Sequence, residues 1–421
     1  MEAISYRELI RTNKPYRQLW IGSVISMLGE WFNTIALFFL ILEYTGNEFL
    51  LGVLFTVRMA SFALLQPIIG LLADRFNRKT LMIVSNLVQA VLALGFLFVD
   101  GPEDIVWMIA LSGLMMLLHG MYMTAERAAL PNLVSAEDLP TANALDAASW
   151  STALCMGAML GGLVVSYWGV NAAFIIDSIT FVIGTLFLVT LNLPQSIDQN
   201  MKGPIFKTAF HNIRFGWRRI RGEPRLFRIV FAKASWNVAG GGLAGVYLVL
   251  LGADVTGFGA AFGFGLFFFA RGVGTGLGPV IARRMFTNES HWPVLVGLLI
   301  VASGCSYFLV GLSVGGALWL TVILVILAHS ASGANWVLST IMTQRWVEDE
   351  VRGRVFSTDM LILSIAFSLS TSTAGYIQEY TDLGIRNGIL MYSALMIISG
   401  TIFSLWRPDQ KGNSARQLPL A

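Results

Sequence analysis

Residues 25–42 read ISMLGEWFNTIALFFLIL, and apart from Glu30 nothing in that stretch is charged. With its apolar neighbours it extends over 19–42, long enough at about 1.5 Å per residue to cross a hydrocarbon core of about 30 Å. Similar runs recur almost to the C-terminus of the 421-residue chain, which is 55% hydrophobic and 13% charged. An ordinary soluble domain is about a quarter charged, so the composition is that of a membrane protein, with little left over for a soluble domain.

The apolar runs predict twelve spans, at 19–42, 50–73, 80–99, 105–125, 142–166 and 170–191, then 227–251, 258–282, 293–312, 317–341, 356–378 and 385–406. In lipid each backbone N–H and C=O must be satisfied within its own segment, and no alternating ten-residue pattern points to a barrel, so the spans are read as helices. The fold class is therefore an all-α membrane protein. Arg7, Arg11, Lys14 and Arg17 precede the first span, Arg75, Arg78 and Lys79 follow the second, and eight basic residues lie between Lys202 and Arg228. Arg283, Arg284, Arg345, Arg352, Arg354, Arg407, Lys411 and Arg416 fall on the same side, whereas the opposite connections hold only Arg386. The positive-inside rule then puts both termini in the cytoplasm. The first apolar run is too long for a signal peptide and lacks a small-residue cleavage site, so it is expected to stay attached.

Topology accounts for the basic residues, so the formal charge of +3 gives no reason to invoke nucleic acid. Cys155 and Cys305 lie in apolar spans, where a thiol behaves as a small hydrophobe. The four histidines have no metal-ligand spacing, and neither a Walker A loop nor a GxSxG elbow is present. These absences leave no handle for an ATPase or a hydrolase.

The chain repeats itself at an offset of 213. GVLFTVR at 52–58 aligns with GLFFFAR at 265–271, Asp146 in ANALDAAS with Asp359 in RVFSTDML, and VSAED at 134–138 with VEDEV at 347–351. Two six-helix pseudo-repeats follow: an N-terminal bundle over 1–191 and a C-terminal bundle over 227–407, with a tail at 408–421. Between them runs a basic linker at 192–226. Its PIFKTAFHNIRFGWRRI (204–220) places Ile205, Phe206, Ala209, Phe210, Ile213, Trp217 and Ile220 near one helical face, as expected of a helix lying along the cytoplasmic membrane surface.

GLLADRFNRKTLM at 70–82 resembles the loop between helices 2 and 3 of the major facilitator superfamily. AERAALPNLVSAEDLPTANAL (125–145), AAFIIDSITFVIG (172–184) and EVRGRVFS (350–357) resemble the branch that includes macrolide-efflux and enterobactin-exporter proteins. The resemblance covers nearly the whole chain. It implies a secondary transporter of the bacterial cytoplasmic membrane that exports a small, amphipathic organic molecule, drug-like or siderophore-like. It also implies alternating access, proton-coupled antiport, no cofactor beyond the proton gradient, and function as a monomer. A lipid or lysophospholipid translocator and a transport-inactive scaffold or sensor are the rival readings.

In the loop, Gly70 allows close helix approach, Asp74 can cap the third helix, and Arg75, Arg78 and Lys79 suit a helix C-terminus at the cytoplasmic surface. Asn77 stands where the family pattern has Gly, and Asn tolerates a left-handed turn. By resemblance the loop is a gating latch without substrate contact; a plain structural turn is the alternative. GAMLGG (157–162) is similar to an antiporter motif but has Ala158 in place of its Pro, while Gly157 and Gly161 still permit tight helix packing.

Insertion scales place a central Arg, Lys or Asp at about +2.5 to +3.5 kcal/mol, so a charge inside a span faces a partner or a watery cavity. Glu30, Arg58, Asp177, Lys233 and Arg271 are such residues. Glu30 lies 42 − 30 = 12 residues from the outer end of its span and Arg58 lies 58 − 50 = 8 from the outer end of the next. Those depths are about 18 Å and about 12 Å, a difference a long Arg side chain bridges. A permanent pair makes Glu30 a structural ion. A pair that parts when a cavity opens makes it a proton carrier. Helix 7 has Lys233 and Asn237 but no acid at the matching depth. Arg58, Asp177, Lys233, Asn237, Arg271, His119 and His329 are the expected pathway residues, the histidines as proton shuttles or as hydrogen-bonded core groups. Asp146 and Asp359, about a turn from the cytoplasmic ends, are expected to complement helix dipoles. Trp31, Phe32, Trp150, Trp236, Phe267, Phe268 and Trp336 suit a bulky amphipathic solute, or serve as packing and interface anchors.

Overall fold

The computed structural model describes residues 4–64, 66–194, 205–255 and 259–406. Lys202, Arg407, Lys411, Arg416 and the 408–421 tail, together with the side chains of Ile205, Phe206 and Asp74, lie outside the described residues. The described elements are helices: α1 (Tyr6–Thr12), α2 (Lys14–Thr45), α3 (Glu48–Leu64), α4 (Gln66–Arg75), α5 (Arg78–Gly95), α6 (Ile105–Ala129), α7 (Leu139–Thr152) and α8 (Ala158–Thr190). They continue as α9 (Ile205–Gly222), α10 (Pro224–Gly242), α11 (Leu248–Ala253), α12 (Ala260–Met285), α13 (Trp292–Ser313), α14 (Leu318–Trp346), α15 (Asp349–Tyr380) and α16 (Gly384–Leu405). Short 3-10 turns punctuate the series, and π-turns at Ala153–Gly157 and Leu243–Tyr247 join α7 to α8 and α10 to α11.

Among the described residues, ten helical stretches are long and apolar enough to cross a membrane. One of them, Leu139–Thr190, runs for 52 residues, about 78 Å at helical rise and far more than one crossing needs. It reverses at Gly169, whose φ of 80° and ψ of 174° lie outside the helical region. Only glycine adopts that conformation without a Cβ penalty, so α8 holds the end of one crossing and the whole of the next. The second expected span is covered in two pieces, α3 and α4, on either side of residue 65. The remaining nine of the ten stretches each fall on one expected span.

Local sequence explains the boundaries. Asn13 accepts the Tyr16 N–H at 3.0 Å and Pro15 occupies the first turn, so α2 starts there; Gly46, with φ of 58°, ends it. The helix α5 is capped by Asn77, whose side chain accepts the Thr80 N–H at 3.0 Å. This corrects the expectation for Asn77: its φ is −64° and not a left-handed value, because an N-cap residue is extended. The expected capping by Asp74 falls on a side chain outside the described residues.

The N- and C-terminal halves meet along two seams. In one, α3 lies on α15 so closely that Gly52 leaves no room for a Cβ against the Thr371 carbonyl, and Gly375 abuts the Glu48 carbonyl. The Thr56 hydroxyl donates to the Ser368 carbonyl at 3.0 Å and sits 2.6 Å from the Ser372 hydroxyl. The Glu379 carboxylate accepts the Glu48 N–H at 2.8 Å, capping α3 from the opposite half. In the other seam α8 crosses α12, with Gly162 against Ala261 and Gly265. Small residues are what let backbones approach this closely where lipid supplies no hydrophobic drive.

The linker helix α9 packs on α15, α10 and α4. Ala209 and Ile220 are buried, and the Thr358 hydroxyl donates to the Ile213 carbonyl at 3.3 Å. Phe210 and Trp217, expected on the same apolar face, are exposed at 70% and 38%. The buried stripe is thus narrower than the sequence suggested, and it rests on protein. Glu348 grips Arg219 of α9 at 3.0 Å; the backbone amide bonding at Glu348 and then this contact hold that carboxyl below its usual range.

Candidate functional site

In the N-terminal half, α2, α3 and α6 bring Glu30, Arg58 and His119 together. His119 Nδ1 lies 2.9 Å from one Glu30 oxygen and Arg58 Nη2 lies 3.7 Å from the other. Arg58 is also held by the Ser112 hydroxyl at 2.9 Å and the Thr34 hydroxyl at 3.1 Å. Arg58 is nearly buried, whereas the Glu30 side chain keeps 20% of its surface exposed. The acid is therefore both paired and reachable. Asp177, on α8, adjoins Gly29 and Asn33 and is fully buried, with no hydrogen-bond partner for either carboxylate oxygen among the described residues.

Two further acids line up toward the end of the bundle that bears α1 and α9, here termed the basic end. Glu126 faces Ser23, and each lies seven residues, two helical turns, from the His119 and Glu30 pair. Beyond them Asp146 receives the Tyr16 hydroxyl at 3.0 Å. The sequence reading passed over Glu126, and the signal was there: 126 − 119 = 7 and 30 − 23 = 7 put both pairs on matching faces of α6 and α2.

The C-terminal half repeats part of this plan. Arg271, at Arg58's offset, donates to the Ala244 carbonyl at 2.9 Å and lies over the Phe268 ring at 5.5 Å. His329, three residues short of the position matching His119, is buried and within 2.7 Å of the Tyr307 hydroxyl. Lys233 and Asp359 form a buried ion pair between α10 and α15, with the ammonium 5.8 Å from the Trp336 ring. Asn237 donates to the Lys233 carbonyl at 3.0 Å.

Asp146 and Asp359 are not helix-end acids. The helices begin earlier than the apolar runs do, at Leu139 and Asp349, which places the acids 7 and 10 residues inside, about 10 Å and about 15 Å. Both are engaged by side chains and lie beyond the first turn, where a helix dipole acts.

In the loop, Arg78 donates to the Ala128 carbonyl at 2.7 Å and to Asn132 at 3.0 Å, while Lys79 donates to the Val189 and Leu191 carbonyls at 2.9 and 2.8 Å. Both cations sit at helix C-termini, which favour positive charge, and both contacts stay within the N-terminal half. A Cβ on Gly70 would meet nothing within 4 Å, and Arg75 ends α4, which touches α9. Gly157 packs on Leu28 and Trp31, and Gly161 on Trp31 and Phe32.

The aromatics divide. Phe268 contacts Trp31 at 5.7 Å and Phe38 at 5.4 Å across the junction of the halves, and Phe267 is core. Trp236 donates to the Ser303 hydroxyl at 3.3 Å, and Trp150 and Trp336 are exposed at 39% and 45%.

Comparison with known proteins places this arrangement. Macrolide efflux protein A of Streptococcus pyogenes is 22% identical over 390 residues, covering 90% of this chain and 92% of that one. The putative bacilysin exporter BacE of Bacillus subtilis (strain 168) is 22% identical over 370 residues, covering 86% and 88%. Among solved structures, an inward-facing bacterial homologue of the human lysosomal transporter Spinster superimposes with a TM-score of 0.70 at 16% identity, covering 94% of this chain and 98% of that one. A point mutant of the nucleoside transporter NupG gives 0.71 at 12%, covering 92% and 98%. Residues 19–328 match the Major Facilitator Superfamily, and with helices, seams and relatives in agreement the chain belongs to that family of multi-pass membrane transporters, which are not enzymes.

Proposed function

We propose that this protein exports a small amphipathic organic molecule across the bacterial cytoplasmic membrane by alternating access, coupled to proton influx through Glu30. In this reading the basic end and both termini face the cytoplasm, a single chain suffices, and the proton gradient is the only energy source. The carrying observation is the Glu30 site: an acid whose side chain is partly exposed, deep in an apolar crossing, shared between the His119 imidazole at 2.9 Å and a fixed guanidinium at 3.7 Å. A rearrangement that draws α6 from α2 removes the imidazole and changes the proton affinity of the acid; one that restores it reverses the change. Glu126 and Asp146 supply titratable steps between that site and the basic end.

Proteoliposomes with an imposed pH gradient test the reading. Glu30→Gln should lose gradient-driven efflux while retaining downhill exchange of substrate, since the amide keeps the shape and cannot carry the proton. Gradient-driven efflux at the wild-type rate in that variant would remove Glu30 from the role.

One observation favours lipid as the cargo. Beside the Thr56 contact, an apolar groove of about 150 Å³ between α3 and α15 is lined by alanine and leucine side chains together with Ser364, Ile365 and Ser368, wide enough for part of an acyl chain. Translocation of a headgroup-labelled lipid in the same vesicles separates the two cargoes.

A further inference from the structure

The two halves carry the same arginine, 271 − 58 = 213 residues apart, but only one has an acid. The position matching Glu30 is 30 + 213 = 243, and there stands Leu243, fully buried and the first residue of a π-turn. Among the described residues no carboxylate pairs with Arg271. One of its five N–H donors reaches the Ala244 carbonyl, within that same π-turn, where the widened ring loosens the regular ladder. The charged or titratable groups that face it are Tyr307 and His329, and neither is an acid at neutral pH.

A cation in mid-membrane with no counterion is costly, and such residues mark substrate pathways. The surroundings of Arg271 say what would neutralise it. Phe268 lies under the guanidinium at 5.5 Å and touches Trp31 and Phe38 of the opposite half. The cation therefore stands beside an aromatic wall that both halves share, and Arg271 itself is partly exposed. Phe268 and Phe38 are buried where the halves meet, so a substrate meets the wall and the guanidinium together once the halves part there.

We propose that Arg271 is the anchor for an anionic group, a carboxylate in the first instance, on an amphipathic substrate whose apolar body lies against Phe268 and Trp31. Planar guanidinium and planar carboxylate match as a bidentate pair, and the anion supplies the counter-charge that Glu30 supplies to Arg58. The inference rests on the export reading above, and it assigns proton and substrate to different halves: the acid in one, the uncompensated cation in the other.

Thermal unfolding of the purified full chain, without any gradient, tests it with three probes of one shape: 2-naphthoate, 2-naphthamide and protonated 2-naphthylmethylamine. Naphthoate should raise the unfolding midpoint and the other two should not. Arg271→Gln should weaken naphthoate by about tenfold or more, while Arg271→Lys keeps part of the effect. Unliganded Arg271→Gln should unfold no earlier than wild type, because an uncompensated charge has been removed. Equal stabilisation by the amide or the ammonium probe, an undiminished naphthoate shift in Arg271→Gln, or no naphthoate shift in the wild type would each overturn the proposal. Glu30→Gln should keep the naphthoate shift, so failure of proton coupling and failure of anion binding are read separately.

Discussion

Asp359→Leu is expected to destabilise the protein by about 3–5 kcal/mol, because it strands the Lys233 ammonium in a protein interior. Both partners are almost entirely buried, the lysine side chain at 3% exposure and the aspartate at 2%. Among the described residues no other acid pairs with Lys233; it has the Trp336 ring at 5.8 Å, which attracts a cation far more weakly than a carboxylate does. The double variant Lys233→Met with Asp359→Leu should recover wild-type stability or exceed it, since an apolar pair of similar volume avoids the cost of dehydrating two charges. Unfolding in detergent, followed for both singles and the double, measures the coupling. An Asp359→Leu protein as stable as wild type would mean that the pair contributes nothing, and the polar register between α10 and α15 would need another cause.

Locking the α3–α15 seam should stop transport altogether. The hydroxyls of Thr56 and Ser372 are 2.6 Å apart and belong to opposite halves. Cysteines at both positions, in a background with Cys155 and Cys305 changed to serine, place two sulfurs within reach of a bond of about 2.05 Å. If the halves rock apart here during each cycle, the oxidised protein is inactive and a reductant restores it. Continued transport by fully oxidised protein would show that this seam stays shut throughout, and rocking about the substrate site would be the wrong motion.

Much of the Glu30 site was legible from position alone. Counting residues from the span ends put Glu30 and Arg58 at compatible depths, and a long side chain covers the remaining gap. His119 is among the expected pathway residues, but its contact with Glu30 was not foreseen, for a specific reason. His119 meets Glu30 only because α6 is rotated to aim it at α2, and depth says nothing about rotation. Asp359 shows the same limit from another side. Its helix begins at Asp349, in a polar stretch that hydropathy assigns to a loop, so an interior ion-pair partner looked like a residue near a helix end. Asn77 caps α5 in an extended conformation, because Asn suits both an N-cap and a left-handed turn and only the backbone angles tell which it adopts.

The sequence by itself determined the crossings, the repeat and the inventory of interior charges, because lipid obliges each segment to satisfy its own backbone and penalises each unpaired charge. Which charge meets which was decided by tertiary structure. Helix rotation and tilt come from small-residue contacts between segments far apart in the chain, such as Gly52 with Thr371 and Gly162 with Ala261. Those contacts brought an acid to Arg58, whereas Leu243 at the position matching Glu30 already denied Arg271 the same partner in the sequence.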